Sequence, residues 1–271
     1  MKQSLLIIND ITTYGRVSSF AMYPFFANYG LHPYFLPTAI VSNTLDYGSA
    51  EMLDTSEWMD RSIDKWRELG FSFDIIATGL INSKRQVDTI SSLIDEHNPS
   101  LVIVDPIMAD SGELYPGMYE SVVECNRLLA SKADILLPNF TEACLLSGIF
   151  KDNTLLTEED NSILLNKLYE LGCKSIVIKG CTDKNGHKYN LVSEGHTIPY
   201  SKKYYDEIPT SFIGTGDAFS AVFISEIING SNMSEATNKA ANIVRTIIIK
   251  NSDNEDHYDI DIESYLKDIF K

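Results

Sequence analysis

The chain is 271 residues long, 44% apolar and 22% charged, with a formal net charge of −16. That length holds one large α/β domain or two small ones, with a sizeable core either way. An acidic balance of this size argues against nucleic acid and anionic membranes as partners, while leaving room for a local patch that takes an anionic nucleotide.

The first apolar run, Leu5-Leu6-Ile7-Ile8, is too short for a signal sequence and no small-residue cleavage site follows it. It reads as a buried strand that ends in Asn9-Asp10. A second strand is expected at Tyr34–Leu36, with Thr38 and Ser42-Asn43 beyond it. Ser56 is expected to cap a helix carrying Met59, Ile63 and Trp66, and Ser83 one carrying Val87, Ile90 and Ile94. A strand at Asp74–Thr78 lies between them. No stretch reaches the roughly 18 apolar residues of a membrane span.

The next strand, Leu101–Asp105, ends in Asp105-Pro106, and Asp110 follows five residues later. In an open parallel sheet the ligand crevice lies at the carboxyl ends of the strands, so Asp105 and Asp110 are placed to face it. Their oxygens suit Mg²⁺, although an Asp-Pro turn also ends a strand with no ligand at all. The strand Asp134–Leu137 leads in the same way into Asn139, Thr141 and Glu142, where a helix begins near Ala143. Thr141 as N-cap with Glu142 in the first turn is ordinary helix-start chemistry, and it is compatible with a binding role. Thr157 opens a Thr-x-x-Asp capping pattern before Leu164, Leu165, Leu168 and Leu171. A sixth strand is expected at Ser175–Lys179. From Cys181 to Tyr200 two polar turns bracket Tyr189–Val192, the pattern of antiparallel strands at a sheet edge. The four cysteines form no CxxC pair and no metal-ligand spacing, as expected of reduced core thiols in a cytoplasmic protein.

Near the C-terminus stands Ile213-Gly214-Thr215-Gly216-Asp217, running straight into the apolar helix Phe219 to Ile228. Ser234 is expected to cap the helix that follows through Ile248. A glycine-rich turn that opens a helix aims free N–H groups, and the positive end of the helix dipole, at one point. Asp217 beside that anion site makes sense as a base for the group that attacks a phosphate. The competing account is a tight turn with Asp217 as a helix N-cap. A P-loop, a His-Arg-Asp kinase loop and a dinucleotide fingerprint are all absent from the sequence; the last would need glycine where Phe219 stands.

Strands alternating with helices imply right-handed crossovers and a mostly parallel sheet, here read as one domain over residues 1–271. Gly214-Thr215-Gly216-Asp217, Asp105-Pro106-Ile107-Met108-Ala109-Asp110 and Pro138-Asn139-Phe140-Thr141-Glu142-Ala143 together resemble the ribokinase superfamily, in order and spacing, over nearly the whole chain. Asn9 to Ser18 and Leu36 to Asn43 are similar to its pyridoxal kinase branch, including bacterial pyridoxamine kinase-like members. The resemblance implies a ribokinase-like three-layer α/β/α fold with a mostly parallel central sheet and an antiparallel edge hairpin. It implies Asp217 as the base that deprotonates a vitamin B6 5′-hydroxymethyl group, with Gly214, Thr215 and Gly216 as the anion hole. It implies Asn139, Glu142 and Lys179 at the nucleotide, Asp105, Asp110 and Glu142 near Mg²⁺, and Asp10, Thr38 and Ser42 at the pyridine ring. ATP would be the co-substrate and a homodimer the assembly.

The sequence departs from the pattern at several places. Asp10 stands where many relatives carry Ser, Leu137 where they carry Thr, and Ala109 replaces a Gly. Leu80-Ile81-Asn82-Ser83 replaces an aromatic-x-Gly-Ser, which removes a flat wall from the substrate pocket. The expected activity is ATP-dependent phosphorylation of pyridoxal, pyridoxine or pyridoxamine. Two alternatives are a hydroxymethylpyrimidine or other small-alcohol kinase of the same fold, and a non-catalytic vitamin- or nucleotide-binding protein. The hairpin region after Cys181 and the stretch Tyr204–Phe212 are expected near the nucleotide, with Pro209-Thr210-Ser211 as a candidate flap.

Overall fold

A computed structural model describes residues 3–151, 154–210, 212–252, 260–263 and 266. Among them, nine strands form one sheet. The strands are β1 (Leu5–Thr12), β2 (Tyr34–Val41), β3 (Met52–Asp54), β4 (Ile75–Thr78), β5 (Leu101–Val104), β8 (Ile135–Leu136), β9 (Ser175–Thr182), β10 (Lys188–Ser193) and β11 (Ser201–Tyr204). Their spatial order is β11-β10-β9-β8-β5-β4-β1-β2-β3. The six from β9 across to β2 run parallel; β3 at one edge and β10-β11 at the other are antiparallel. The edge hairpin expected after Cys181 is therefore present. Two short strands, β6 (Ala109–Asp110) and β7 (Glu113–Leu114), form a separate antiparallel hairpin.

Side chains on a strand alternate between faces, and here each face is apolar. Leu5, Ile7, Ile75, Ala77, Ile103, Ile135 and Val177 meet the helices α1 (Ser18–Asn28), α7 (Thr215–Ile228) and α8 (Met233–Asn251). Leu6, Ile8, Ile76, Val102, Val104, Leu136 and Ile176 face α2 (Ser56–Leu69), α3 (Lys84–His97), α4 (Ser121–Ala130), α5 (Phe140–Ser147) and α6 (Glu158–Tyr169). Each such fully buried Leu or Ile contributes about 1.5–3 kcal/mol of transfer free energy, so the two helical layers are held by burial rather than by helix propensity. The four cysteines are free and buried among these residues. No described helix is long and apolar enough to cross a membrane.

Several helix starts differ from expectation by one or two positions. Ser83 caps α3, accepting from the Gln86 amide, and Thr157 forms the capping box of α6. The N-cap of α2 is Thr55 rather than Ser56, and α8 starts from a capping box of Asn232 with Glu235 rather than from Ser234. Asn and Ser are equally good N-caps, so adjacent candidates compete and the chain's approach to the sheet selects one. Likewise α5 begins at Phe140, with Asn139 and Glu142 as a reciprocal capping box and Thr141 inside the helix.

The topology marks one place for a ligand. From β1 the chain crosses to β2 on one side, whereas β4, β5, β8 and β9 fill in on the other. Between β1 and β4 the winding reverses, and in such sheets the crevice beyond the carboxyl ends at that reversal is the binding cleft.

Candidate active site

The irregular stretch of β1 at Asn9 and the carboxyl ends of β4 and β5 bring Asn9, Thr78, Gly79 and Asp105 to the point of reversal. Asn9, Thr78, Gly79, Asp105, Asp217 and Ser220 line a narrow cavity there, closed from below by Ile7, Met22, Ala77 and Ile224. Asn9 is buried and accepts the Leu80 amide at 2.8 Å. A methyl group on Gly79 would stand 2.3 Å from Asn9 Oδ1, so glycine is required where the two loops meet.

Helix α7 points its first turn at this edge. Gly214 is its N-cap, with φ 88°, and a Cβ there would lie 2.1 Å from the Arg16 carbonyl oxygen. Both the left-handed backbone and the close approach demand glycine. The first helical closure runs from the Ala218 amide to Gly214 O at 2.9 Å, which leaves the amides of the preceding turn to the cleft. Gly216 faces open space. The side chain of Thr215 is turned back, its hydroxyl donating to Phe212 O at 3.0 Å, so only its backbone belongs to the turn's donor set.

Asp217 is not the N-cap. It sits in the first turn of α7, and its Oδ2 accepts the amide of Ser18 at 2.7 Å. Burial pushes its carboxyl up to about 7; the charges of Asp10 and Asp105 add to the rise, while the Ser18 amide and Lys179 oppose it. Asp10, fully buried at the end of β1, is also raised by burial. Its Oδ2 accepts the Thr12 hydroxyl at 2.9 Å, and its Oδ1 accepts no hydrogen bond.

Asp105 and Lys179 form a buried ion pair at 3.0 Å, and the Ser220 hydroxyl of α7 also donates to Asp105. The Lys179 ammonium thus lies toward Asp105 and Ser220. Strand β9 is tied to the start of α5 at this level, where Asn139 and Lys179 pair across a short parallel bridge.

Glu142 is buried, with Oε2 accepting the Asn139 amide at 2.8 Å and Oε1 the Met108 amide at 3.1 Å. Burial and the nearby Asp105 charge push it up to about 8. Asn139 Nδ2 donates to Ala109 O at 2.7 Å, so the β6–β7 hairpin is pinned to α5. Asp110, on that hairpin, is exposed and accepts the Ser111 amide. The Tyr115 phenol is raised by burial and then by the charges of Glu142, Asp110, Asp217 and Asp105, in that order.

The three proposed metal carboxylates, Asp105, Asp110 and Glu142, do not form a tight ligand group; among the described residues no set of three or more such side chains is close enough to hold an ion by itself. Each of them already serves other partners. Thr38 and Ser42 are not joined to Asp217 by any hydrogen bond in the structure. The buried Thr38 hydroxyl donates to Leu80 O at 2.7 Å, and the exposed Ser42 bonds Asn43 and the Glu51 amide. Leu80 and Leu137 are buried, the second in the layer beneath α7.

A second, wider cavity of about 880 Å³ opens between the turn after β9 and α8, lined by Asp183, His187, Tyr204, Glu207, Asn242 and Arg245 among others. It includes the region expected near the nucleotide. Of the candidate flap, Ser211 lies outside the described residues.

Sequence reasoning did not single out Ser18, Ser220 or Tyr115. Ser18 and Ser220 carry no local signal; Tyr115 follows the Asp110 hairpin closely enough for its position to have been a clue.

Comparison with known proteins gives a consistent picture. The model of a family described as phosphomethylpyrimidine kinase matches residues 25–260. A hydroxymethylpyrimidine/phosphomethylpyrimidine kinase of Bacillus subtilis (strain 168) is 28% identical over 218 residues, covering 78% of this chain and 76% of that one. A pyridoxine kinase of the same strain is 28% identical over 187 residues, covering 68% and 66%. The crystal structure of a putative phosphomethylpyrimidine kinase from Bacteroides thetaiotaomicron, in a form with pyridoxal, superposes with a TM-score of 0.92 at 26% identity, covering 100% of this chain and 96% of that one.

Proposed function

The chain belongs to the phosphomethylpyrimidine kinase family, is a phosphotransferase with an alcohol as acceptor, and we propose that its reaction is ATP-dependent phosphorylation of the 5′-hydroxymethyl group of pyridoxal, pyridoxine or pyridoxamine. The observation that carries this is Asp217. A carboxyl moved up to about 7, in the first turn of a helix whose amides open onto the same cleft, has the basicity and the position to deprotonate an alcohol beside an arriving phosphate.

In the proposed step the acceptor O–H gives its proton to Asp217, and the oxygen forms a bond to the γ-phosphorus. The bond from γ-phosphorus to the bridging oxygen breaks, and its electron pair leaves with ADP. The amides of Gly214, Thr215 and Gly216 would hold the oxygens of the transferring group. The Lys179–Asp105 pair would set the charge balance beneath them. ATP would lie toward the wider cavity by α8, with Asn139 and Glu142 beside it at the start of α5. The acceptor ring would lie over the carboxyl-terminal halves of β1 and β2 and the turn after β2, near Asp10, Thr38 and Ser42.

Mg²⁺ fits this chemistry. Glu142 is a carboxylate pushed up to about 8 by burial and then by the Asp105 charge, and a cation beside it would relieve the strain. Mg²⁺ needs only one or two carboxylates besides substrate phosphates and water, so Asp105, Asp110 and Glu142 need not form a cage. The ion would neutralise charge on the phosphates.

A second reading keeps the mechanism and changes the acceptor to hydroxymethylpyrimidine. It draws support from the B. subtilis hydroxymethylpyrimidine/phosphomethylpyrimidine kinase, which matches more of this chain than the pyridoxine kinase of the same strain does. An ATP-dependent phosphorylation assay across the three B6 vitamers and hydroxymethylpyrimidine separates the two. Turnover with none of the four, in the presence of Mg²⁺, would remove both.

A further inference from the structure

Ser18 is the one residue at the site that combines an unusual backbone with a direct bond to Asp217. It opens α1 with φ 54°, a left-handed conformation that a residue with a Cβ rarely adopts. It is buried, and its amide donates to Asp217 Oδ2 at 2.7 Å across 199 residues of sequence. The flanking contacts fix the turn from both sides. Arg16 O presses on Gly214 so closely that no Cβ fits there. The Ser19 hydroxyl donates to Asp10 O at 2.7 Å.

From this geometry we propose that Ser18 is a positioning residue. Its left-handed turn aims the backbone amide at Asp217 Oδ2 and so leaves Oδ1 to receive the acceptor's proton. The inference rests on the kinase reading above, and it goes beyond the family assignment because Ser18 precedes the matched stretch 25–260. An extended or right-handed residue at this position would turn its amide elsewhere. Asp217 would then be free to rotate between rotamers, and a base that samples several orientations spends less time in line with the alcohol. The element behind this arrangement is the backbone, not the serine hydroxyl, because it is the amide that reaches Asp217.

Two substitutions separate these roles. Ser18→Gly removes the hydroxyl and keeps the left-handed turn at no steric cost. Ser18→Val places a β-branched side chain where φ is positive, the least tolerated choice, and drives the turn out of that conformation. With wild-type turnover first established on a B6 vitamer or hydroxymethylpyrimidine, Ser18→Val is expected to lower kcat by about 10-fold or more. The KM values for ATP and acceptor should stay within about twofold, since neither ligand is held by Ser18. Ser18→Gly is expected to keep kcat within about threefold. Should Ser18→Val not fold, Ser18→Thr supplies the same contrast, being β-branched while keeping the hydroxyl: its kcat must fall below that of Ser18→Gly. Equal kcat for the Gly and Val (or Thr) variants overturns the proposal, as does a change confined to KM. Absence of turnover in the wild type would instead sink the kinase reading itself.

Discussion

Replacing Asp217 by Asn is expected to stabilise the free protein while abolishing its turnover. Burial raises the Asp217 carboxyl from 3.8 to about 7, so at high pH the folded chain holds a charge that the unfolded chain holds more comfortably. At 1.36 kcal/mol per pH unit, that rise corresponds to roughly 4 kcal/mol as a ceiling. Asp217 is only half-buried, and solvent screening reduces the figure to about 1–2 kcal/mol. The sign follows from proton counting. Between 3.8 and about 7 the folded state binds more protons at this group than the unfolded state, so its contribution to stability falls as pH rises through that window, and stays lost above it. Asn carries no charge, is nearly the same shape, and its oxygen still accepts the Ser18 amide. Thermal unfolding of ligand-free protein should therefore show the variant level with wild type near pH 4 and about 2–6 °C higher near pH 8.5. Turnover should drop by about 10²-fold or more. A variant that is less stable than wild type near pH 8.5, or whose advantage does not change with pH, refutes the placement of a strained charge at this position. One that is stabilised but still active refutes its role as base.

The pH profile of kcat/KM is expected to fall on the acid side around 7, because Asp217 must be deprotonated to accept a proton; Asp10→Asn removes a charge that raises that value and should move the limb to lower pH, read from initial rates across the range. Gly214→Ala forces a methyl against Arg16 O and a side chain onto a left-handed backbone, and should cost about 2–4 kcal/mol in denaturant unfolding. Lys179→Met leaves Asp105 buried without its cation and is expected to cost about 3–5 kcal/mol, with partial recovery in Lys179→Met/Asp105→Asn. Glu142→Gln keeps one acceptor oxygen for the α5 cap and removes the carboxylate proposed near Mg²⁺; the Mg²⁺ concentration for half-maximal rate should rise by about 10-fold, measured by metal titration at saturating ATP.

The strand that ends before Asp105 was readable because its signal, an apolar β-branched run stopped by Asp-Pro, is local. The ends of the first two were not: β1 runs past Asn9-Asp10 to Thr12 and β2 past Leu36 to Val41, because pairing between the two strands continues through polar positions that the apolar pattern does not mark. Gly214-Thr215-Gly216-Asp217 was plain, since the close approach of Arg16 O and the left-handed backbone leave no alternative to glycine at 214. The partners of the side chains were not readable. Lys179 looked free to reach a phosphate, yet it lies against Asp105, 74 residues away. Asn139 and Glu142 carried two meanings in sequence, and the capping box they form with each other came from how α5 meets the sheet. Ser18 gave no sign at all, because serine is a common helix opener and a positive φ leaves no trace in composition. The hairpin strands at Ala109–Asp110 and Glu113–Leu114 are two residues each, too brief for any periodicity. The substrate consequences of Leu80 stay with the loops it joins: its amide and carbonyl are held by Asn9 and Thr38, and its side chain is buried.

The interlocking of Gly79 with Asn9 has a consequence for how this pocket can change. The Asn9 side chain fills the space that a methyl group on Gly79 would need, so the two positions can change only together. Adapting the enzyme to a bulkier or differently substituted ring proceeds more readily at the rim, through the segments following β2 and the hairpin beyond Asp105.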